Sequence, residues 1–368
     1  MWLTSSSIGR KFVMAITGIC LVLFVTFHVL MNAVAIFWPT AYNQVCEFLG
    51  ANWYALAASA GLALLFIIHI IYALWLTVQN RKARGTDRYA VNARQPQVEW
   101  SSKNMLVLGI VVLAFLAVHL MQFWYRMQWQ EIVSHDPASW STIDGAVAAP
   151  AFGTLFIQAA FSHIWTLIVY LIGFGALWFH MNHGFWSMLH TIGWDNNVWL
   201  ERLKKISLWW TTIVIGLFTI QAIVFTVRAN DNYYFTNADL QTQYAAYWDE
   251  KATDLFTEFQ EEQVALGLDA QPRDQVEYMQ MQQKSEDFIK ENGQSYIDRI
   301  NVITNAAKVY CPDATNVMAI KQIDQLGQYL QSSLEHLSGT PAAAPVVEEV
   351  TEEAVVEEAP AADNTENQ

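Results

Sequence analysis

Five histidines of this sequence lie within long apolar stretches. They are His28, His69, His119, His163 and His180. An ionisable side chain is costly inside a hydrocarbon layer, so each of these histidines is a candidate functional residue. Neutral imidazole is a good ligand for haem iron, and two imidazoles on one iron leave no open position for oxygen, which suits electron transfer. The histidines therefore point first to redox chemistry on haem.

Five stretches without Lys, Arg, Asp or Glu form the elements that must position these side chains. The stretches are Phe12–Trp38, Tyr54–Gln79, Asn104–Tyr125, Ala151–Asn182 and Ile206–Val227. About 20 apolar residues span the hydrocarbon core of a bilayer. A helix of that length in water normally carries a polar face. The sequence therefore predicts an all-α fold in which five transmembrane helices form a bundle.

Basic residues of the short loops indicate how this bundle is oriented. Eleven Lys and Arg residues fall on the side of the N-terminus, whereas the opposite side receives only Arg126 and Arg228. The positive-inside rule then places the N-terminus in the cytoplasm, and five crossings place the C-terminus outside. We expect a multi-pass protein of the bacterial inner (cytoplasmic) membrane with a periplasmic C-terminus.

Depth in the membrane sorts four of the histidines into two pairs. His28 and His119 lie late in helices that start inside, so both belong near the outer face. His69 lies late in a helix that runs inward, and His180 lies near the cytoplasmic end of the fourth predicted helix. At about 1.5 Å per residue the two levels are separated by roughly 10–15 Å. We predict two haem b groups, with His28 and His119 on the outer iron and His69 and His180 on the inner iron.

His163 and His183 leave alternatives open for the haem ligands. For each histidine in an apolar stretch, a packing role is a further alternative. A lone histidine in a membrane helix is more often a hydrogen-bonded packing residue than a ligand, but four that pair at two depths favour ligation. His163 lies near the outer end of the fourth stretch, where it could compete with His119 or face a propionate or quinone. His183 shares a helix face with His180 and could be the inner ligand instead.

Charge divides the chain into a near-neutral front and an acidic back. Residues 1–235 hold 13 basic and 9 acidic residues of a chain whose net charge is −14. The acidic part argues against nucleic-acid binding. Residues 236–338 suit two or three amphipathic helices of a soluble, periplasmic extension. Residues 339–368 form an acidic tail rich in Pro, Ala and Glu that we expect to be disordered.

Residues 1–235 resemble a known family, the dihaem cytochrome b membrane-anchor subunits of succinate dehydrogenase and fumarate reductase (succinate:quinone oxidoreductases). One haem histidine late in each of the first four of five helices is the arrangement of that family. The matching segments are SSSIGRK at 5–11, TFHVLMN at 26–32, IHIIY at 68–72, VHL at 118–120 and HMNHGFWS at 180–187.

The resemblance implies partners and an activity for the assembled enzyme. A flavoprotein subunit with FAD would oxidise succinate or reduce fumarate, and an iron–sulfur subunit would pass electrons to the inner haem. The outer haem would exchange electrons with a quinone, for which menaquinone is the expectation. The three cysteines of this chain are too few for clusters of its own. The chain would supply haem binding, quinone reaction and an anchor in membrane lipid, in a complex that could form a homodimer.

The resemblance also suggests roles for polar residues at the two ends. Glu47 is the candidate for proton exchange with the quinone, and a solvated loop residue is its alternative. Arg10, Lys11 and Ser6 could hold haem propionates or dock the iron–sulfur subunit. Trp178 stands where some fumarate reductases carry a glutamate that serves a proton route, so that route is not available through this residue. The extension after residue 235 has no counterpart in compact members of the family.

Two other functions remain compatible with the sequence. A dihaem cytochrome b could serve a membrane-bound hydrogenase or formate dehydrogenase, whose anchors also place histidines in membrane helices. A haem-free transporter or scaffold could use the same histidines to relay protons. The transporter alternative predicts a protein without a visible chromophore.

Overall fold

The computed structural model describes residues 6–84, 99–134, 136–194, 196, 198–314 and 317–339. Helices dominate these residues, with one short hairpin of strands β1 (Thr142–Ile143) and β2 (Ala146–Val147). The predicted acidic tail lies outside the described residues except for Gly339. The helices are α1 Ser7–Phe37, α2 Pro39–Ala51, α3 Trp53–Arg84, α4 Trp100–Gln122, α5 Gln130–Val133, α6 Gly153–Phe161, α7 Ile164–Thr191, α8 Trp199–Asn230, α9 Tyr233–Thr236, α10 Ala238–Ala265, α11 Gln275–Tyr310 and α12 Met318–Ser338.

Five of these helices, α1, α3, α4, α7 and α8, are long and apolar enough to cross a membrane. The span that α4 begins continues beyond Gln122, through a π-helical segment, Tyr125–Trp129, into α5. The all-α fold and the five apolar helices are thus confirmed. We call the end of the bundle where Ser7 begins α1 the inner end and the opposite end the outer end.

The start of the fourth predicted span was wrong. The apolar run that begins at Ala151 is broken after Phe161, and the spanning helix α7 begins only at Ile164. The preceding helix α6 is apolar because it is buried in protein, where Gln158 Nε2 donates to the carbonyl oxygen of Ala229 at 2.7 Å. An apolar run alone does not distinguish burial in protein from burial in lipid.

The five long helices pack unevenly. Helices α7 and α8 are held together by stacked rings of Phe174 and Phe218, 5.6 Å apart, and by Ser207 Oγ, which donates to the carbonyl oxygen of Asn182 at 2.5 Å. In contrast, none of the side chains described for α3 is buried. Helix α3 therefore has space beside it for lipid or for a bound group.

The three helices of the extension, α10, α11 and α12, cover the outer end of the bundle. Asn43 in α2 donates to Gln243 Oε1 at 2.9 Å, and Thr154 in α6 shares a hydrogen bond of 2.8 Å with the hydroxyl of Tyr244. One hydrophobic core runs without interruption from Val29 in α1 to Leu330 in α12. The extension consequently packs as part of the same folded body as the bundle.

Candidate functional site

His28 in α1 and His119 in α4 face each other in the outer half of the bundle. Their ring centroids are 5.8 Å apart and the ring planes meet at 80°. Phe24 stacks on His28 at 5.4 Å, Phe218 lies 5.8 Å from it, and Phe123 lies 5.3 Å from His119. Aromatic rings therefore line much of the space around the outer pair.

A network of polar side chains from α7 and α4 contacts His119. The Nδ1 atom of His119 lies 3.1 Å from the hydroxyl of Tyr170, which donates to Gln122 Oε1 at 2.9 Å. Gln122 Nε2 in turn donates to Thr166 Oγ1 at 3.4 Å. On the opposite side, Asn32 Nδ2 lies 3.4 Å from His28 Nε2. These polar side chains orient the His119 ring through its Nδ1 atom.

His69 in α3 and His180 in α7 form the second facing pair. Their ring centroids are 6.4 Å apart at an angle of 65°. Thr17 Oγ1 in α1 lies 3.0 Å from His69 Nδ1. The Nδ1 atom of His180 is buried and has no hydrogen-bond partner among the described residues. Gly109 packs beside this ring, because a Cβ there would lie 3.7 Å from His180 Cε1.

The two pairs lie at two levels of the bundle. Thr17 and His28 are eleven residues apart in α1, which corresponds to roughly 16 Å of helix rise. Gly109 and His119 in α4 are ten residues apart, or roughly 15 Å. The rises along α1 and α4 are similar, so the inner and outer pairs are separated by about 15 Å along the bundle.

His163 does not join the outer pair. It is the exposed residue that precedes α7, seven residues and roughly 10 Å before Tyr170, the partner of His119. The sequence placed His163 at a similar depth to His119 because the fourth span was started at Ala151. The same correction shifts His180 away from the inner end of its helix, since α7 continues to Thr191.

His183 turns away from the inner pair. Its Nδ1 atom lies 3.1 Å from Glu99 Oε2, and its ring meets Trp186 edge to face at 4.9 Å. Glu99 is the residue that precedes α4. Of the two histidines one turn apart on α7, only His180 faces His69.

The predicted inner polar residues lie at the start of α1. Ser6 caps this helix, because its Oγ accepts the backbone N–H of Gly9 at 2.9 Å. The guanidinium of Arg10 lies 5.2 Å from the ring centroid of Trp75, and Lys11 is exposed. Arg10 precedes Thr17 by seven residues, roughly 10 Å, so it lies inward of the inner pair.

Glu47 lies on α2, beyond the outer end of α1 and not beside the outer pair. It is exposed, and His28 is nine residues, roughly 14 Å, from the end of α1. Burial, followed by the charges of Glu131, Glu47 and Glu250, raises the pKa of Tyr247 in α10. Glu47 therefore belongs to the acidic surroundings of Tyr247.

Sequence reasoning missed the residues that support the histidines. Thr17, Tyr170 and Gln122 are polar residues in or at the ends of apolar stretches, and this was the signal that could have identified them. Trp178 in α7 donates from Nε1 to Thr212 Oγ1 in α8 at 3.0 Å.

The ring separation within each pair fits one metal ion held between two imidazoles. Two imidazoles on one metal ion with metal–nitrogen bonds of about 2 Å have ring centroids about 6 Å apart. The observed separations are 5.8 and 6.4 Å. Each pair would supply two imidazole nitrogens to the iron of a haem. The unburied face of α3 and the unpartnered Nδ1 of His180 also fit a group that is held between these helices.

The described residues form an all-helical fold whose five long apolar helices indicate a multi-pass membrane protein, and these helices carry two facing pairs of histidines. Comparisons of the chain with family models, with curated proteins and with solved structures found no match.

Proposed function

We propose that this chain is the dihaem cytochrome b membrane-anchor subunit of a succinate dehydrogenase or fumarate reductase complex. The observation that carries the proposal is the arrangement of four histidines as two facing pairs about 15 Å apart along the bundle. A single pair would suit one haem or a packing contact. Two pairs at two levels suit a path for electrons across the bilayer.

The four histidines would bind the two haem irons. His28 and His119 would hold the outer haem, and His69 and His180 the inner haem. When bound, each haem supplies a one-electron carrier whose potential depends on ligands, burial and hydrogen bonds. The protein would contribute the four imidazoles and, around the outer pair, aromatic rings. Bis-histidine ligation leaves no open position on the iron, which favours electron transfer over oxygen chemistry.

The two ends of the bundle would serve different partners. At the inner end, Arg10 lies inward of the His69–His180 pair, where its charge suits a haem propionate or an acidic surface of the iron–sulfur subunit. Lys11 and Ser6 adjoin it at the start of α1. At the outer end a quinone would exchange electrons with the outer haem. We expect this quinone to be menaquinone.

Glu47 would exchange protons with the quinone. Its place on α2 gives it contact with water, from which protons can be taken or to which they can be released. Its position beyond the end of α1 requires a further carrier between Glu47 and a quinone beside the outer haem. The flavoprotein and iron–sulfur subunits would carry out the chemistry on succinate or fumarate.

Purification of the native complex from membranes tests this function. We expect two haems b per chain in a reduced-minus-oxidised spectrum, together with a flavoprotein, an iron–sulfur protein and succinate- or fumarate-dependent quinone chemistry. Two haems with a hydrogenase or formate dehydrogenase partner would favour the other dihaem cytochrome. A preparation that contains no haem would refute the proposal and favour a proton-relaying transporter.

A further inference from the structure

The Tyr170 hydroxyl has two close polar neighbours but only one proton. One neighbour, Gln122 Oε1 at 2.9 Å, can only accept, and the other is His119 Nδ1 at 3.1 Å. If Tyr170 donated to His119, two oxygen lone pairs would face each other at 2.9 Å. Donation to Gln122 avoids this repulsion, and the Tyr170 oxygen then accepts a hydrogen bond from the N–H group at His119 Nδ1.

At the inner pair a hydroxyl also lies beside a histidine Nδ1 atom, and here it belongs to a threonine, Thr17. Thr17 is buried, and its Oγ1 lies 3.0 Å from the carbonyl oxygens of Val13 and Met14. These oxygens can only accept, so the hydroxyl proton is directed to the backbone of α1, as is common for threonine in helices. The lone pair of Thr17 Oγ1 is left to accept from His69 Nδ1 at 3.0 Å.

We propose that Tyr170 and Thr17 are positioning residues that fix the Nδ1–H tautomer of one histidine in each pair. His119 and His69 would then present an unprotonated Nε2 to the iron. The proposal rests on the proposed function, because it gives these hydroxyls a role toward haem ligands. The inner pair is asymmetric in this respect, since His180 Nδ1 has no hydrogen-bond partner among the described residues.

A hydrogen bond from ligand Nδ1–H to an oxygen makes the imidazole a stronger donor to the metal. A stronger donor stabilises oxidised iron relative to reduced iron and lowers the midpoint potential. Loss of the hydroxyl should therefore raise the midpoint potential of the haem at that level only. A residue with a merely structural role would not move one potential selectively.

Two conservative substitutions test the proposal, and each serves as the control for the other. Tyr170→Phe keeps a ring that packs against Phe115 and Phe174 at 5.0 and 5.9 Å, and Thr17→Val keeps the branched shape. The readouts are potentiometric titration of the full complex and the EPR spectrum of each oxidised haem. In Tyr170→Phe we expect the reduced-to-oxidised ratio of the outer haem to rise about tenfold at a fixed potential, or about 59 mV for one electron.

Thr17→Val should shift the inner haem in the same direction and leave the outer haem unchanged. No shift in either variant, or an equal shift of both haems, would overturn the proposal. If Tyr170→Phe assembles without the outer haem, Gln122→Leu replaces it, because it removes the acceptor of the Tyr170 proton and keeps the tyrosine. An outer potential unchanged in Gln122→Leu would then overturn the proposal, and an upward shift would support it.

The haem content of the wild-type complex distinguishes failure of the proposed function from failure of the proposed role of Tyr170 and Thr17. A wild type without two haems contradicts the proposed function itself. A wild type with two haems whose potentials are insensitive to Tyr170 and Thr17 contradicts only the role of these two hydroxyls.

Discussion

His183 Nδ1 lies 3.1 Å from Glu99 Oε2, so the residue that precedes α4 is tied to the inner half of α7. His180, one turn earlier, faces His69 with a centroid separation of 6.4 Å. The two neighbouring histidines of α7 therefore have different partners. Their substitution should have different consequences.

We expect His180→Ala to remove the inner haem and His183→Ala to retain both haems. The reason is that only His180 directs its ring toward the second imidazole of the pair. Haem content per chain and the reduced-minus-oxidised spectrum measure both outcomes. Loss of the inner haem in His183→Ala, with retention in His180→Ala, would reverse the assignment.

The outer pair allows a similar comparison. His119→Ala should remove the outer haem and spare the inner haem, whereas His163→Ala should retain both, because His163 is exposed and roughly 10 Å from the level of Tyr170. Potentiometric titration resolves the two haems by their potentials. If both haems persist in His119→Ala, the outer ligand must be another residue.

Gly173 provides a test of the packing that supports the outer pair. A Cβ at this position would overlap the ring of Phe115, which lies 6.0 Å from the ring of His119. Overpacking of this kind costs about 1–3 kcal/mol, so Gly173→Ala should weaken or abolish outer haem binding. Gly175→Ala is the matched control, because that position is exposed and a Cβ there meets nothing within 4 Å. Equal haem content in both variants would contradict the prediction.

The hydroxyl of Tyr310 joins the extension to the hairpin at the outer end. The hydroxyl oxygen lies 2.7 Å from the carbonyl oxygens of both Ile143 and Ala146, which share its one proton, and the side chain is fully buried. Tyr310→Phe leaves buried acceptors unsatisfied, so we expect the free energy of unfolding to fall by about 1–3 kcal/mol. Thermal denaturation of the full chain in detergent measures the loss. Tyr329→Phe, at an exposed position of α12, should have little effect, and a similar loss in both variants would refute the role of Tyr310.

The ion pair between Glu258 and Arg299 predicts a pH dependence of the extension. Two hydrogen bonds of 2.6 Å from Arg299 hold the pKa of Glu258 below its ordinary value of 4.5. The folded state therefore binds this proton less tightly than the unfolded state. The stabilisation is present above pH 4.5 and is lost as the pH falls through the lower folded-state pKa.

The ion pair should stabilise the folded state by less than about 1 kcal/mol, because both side chains are more than a third exposed and water screens the pair. Unfolding of wild type and Glu258→Gln between neutral and acidic pH measures it, and the difference between the two should shrink as the pH falls. Glu261→Gln, at an exposed position of the same helix, is the control. A difference that is constant with pH would exclude the ion pair as its cause.

The sequence alone determined the class of fold and the depth of the main histidines. Five uncharged apolar runs predict spanning helices because polar groups are costly in hydrocarbon, and a fixed rise per residue converts sequence position into depth. His28, His69, His119 and His180 could be paired by level from these two rules. The separation of about 15 Å between levels agrees with that estimate.

Only the tertiary structure decided which direction each side chain faces. Depth does not specify the rotation of a helix about its axis, so sequence could not decide between His180 and His183. Hydropathy does not distinguish a helix buried in protein from one in lipid, so α6 was joined to α7 and His163 was placed too deep. The hydroxyls of Thr17 and Tyr170 meet their histidines across 52 and 51 residues of chain, a relationship that exists only once the helices have packed.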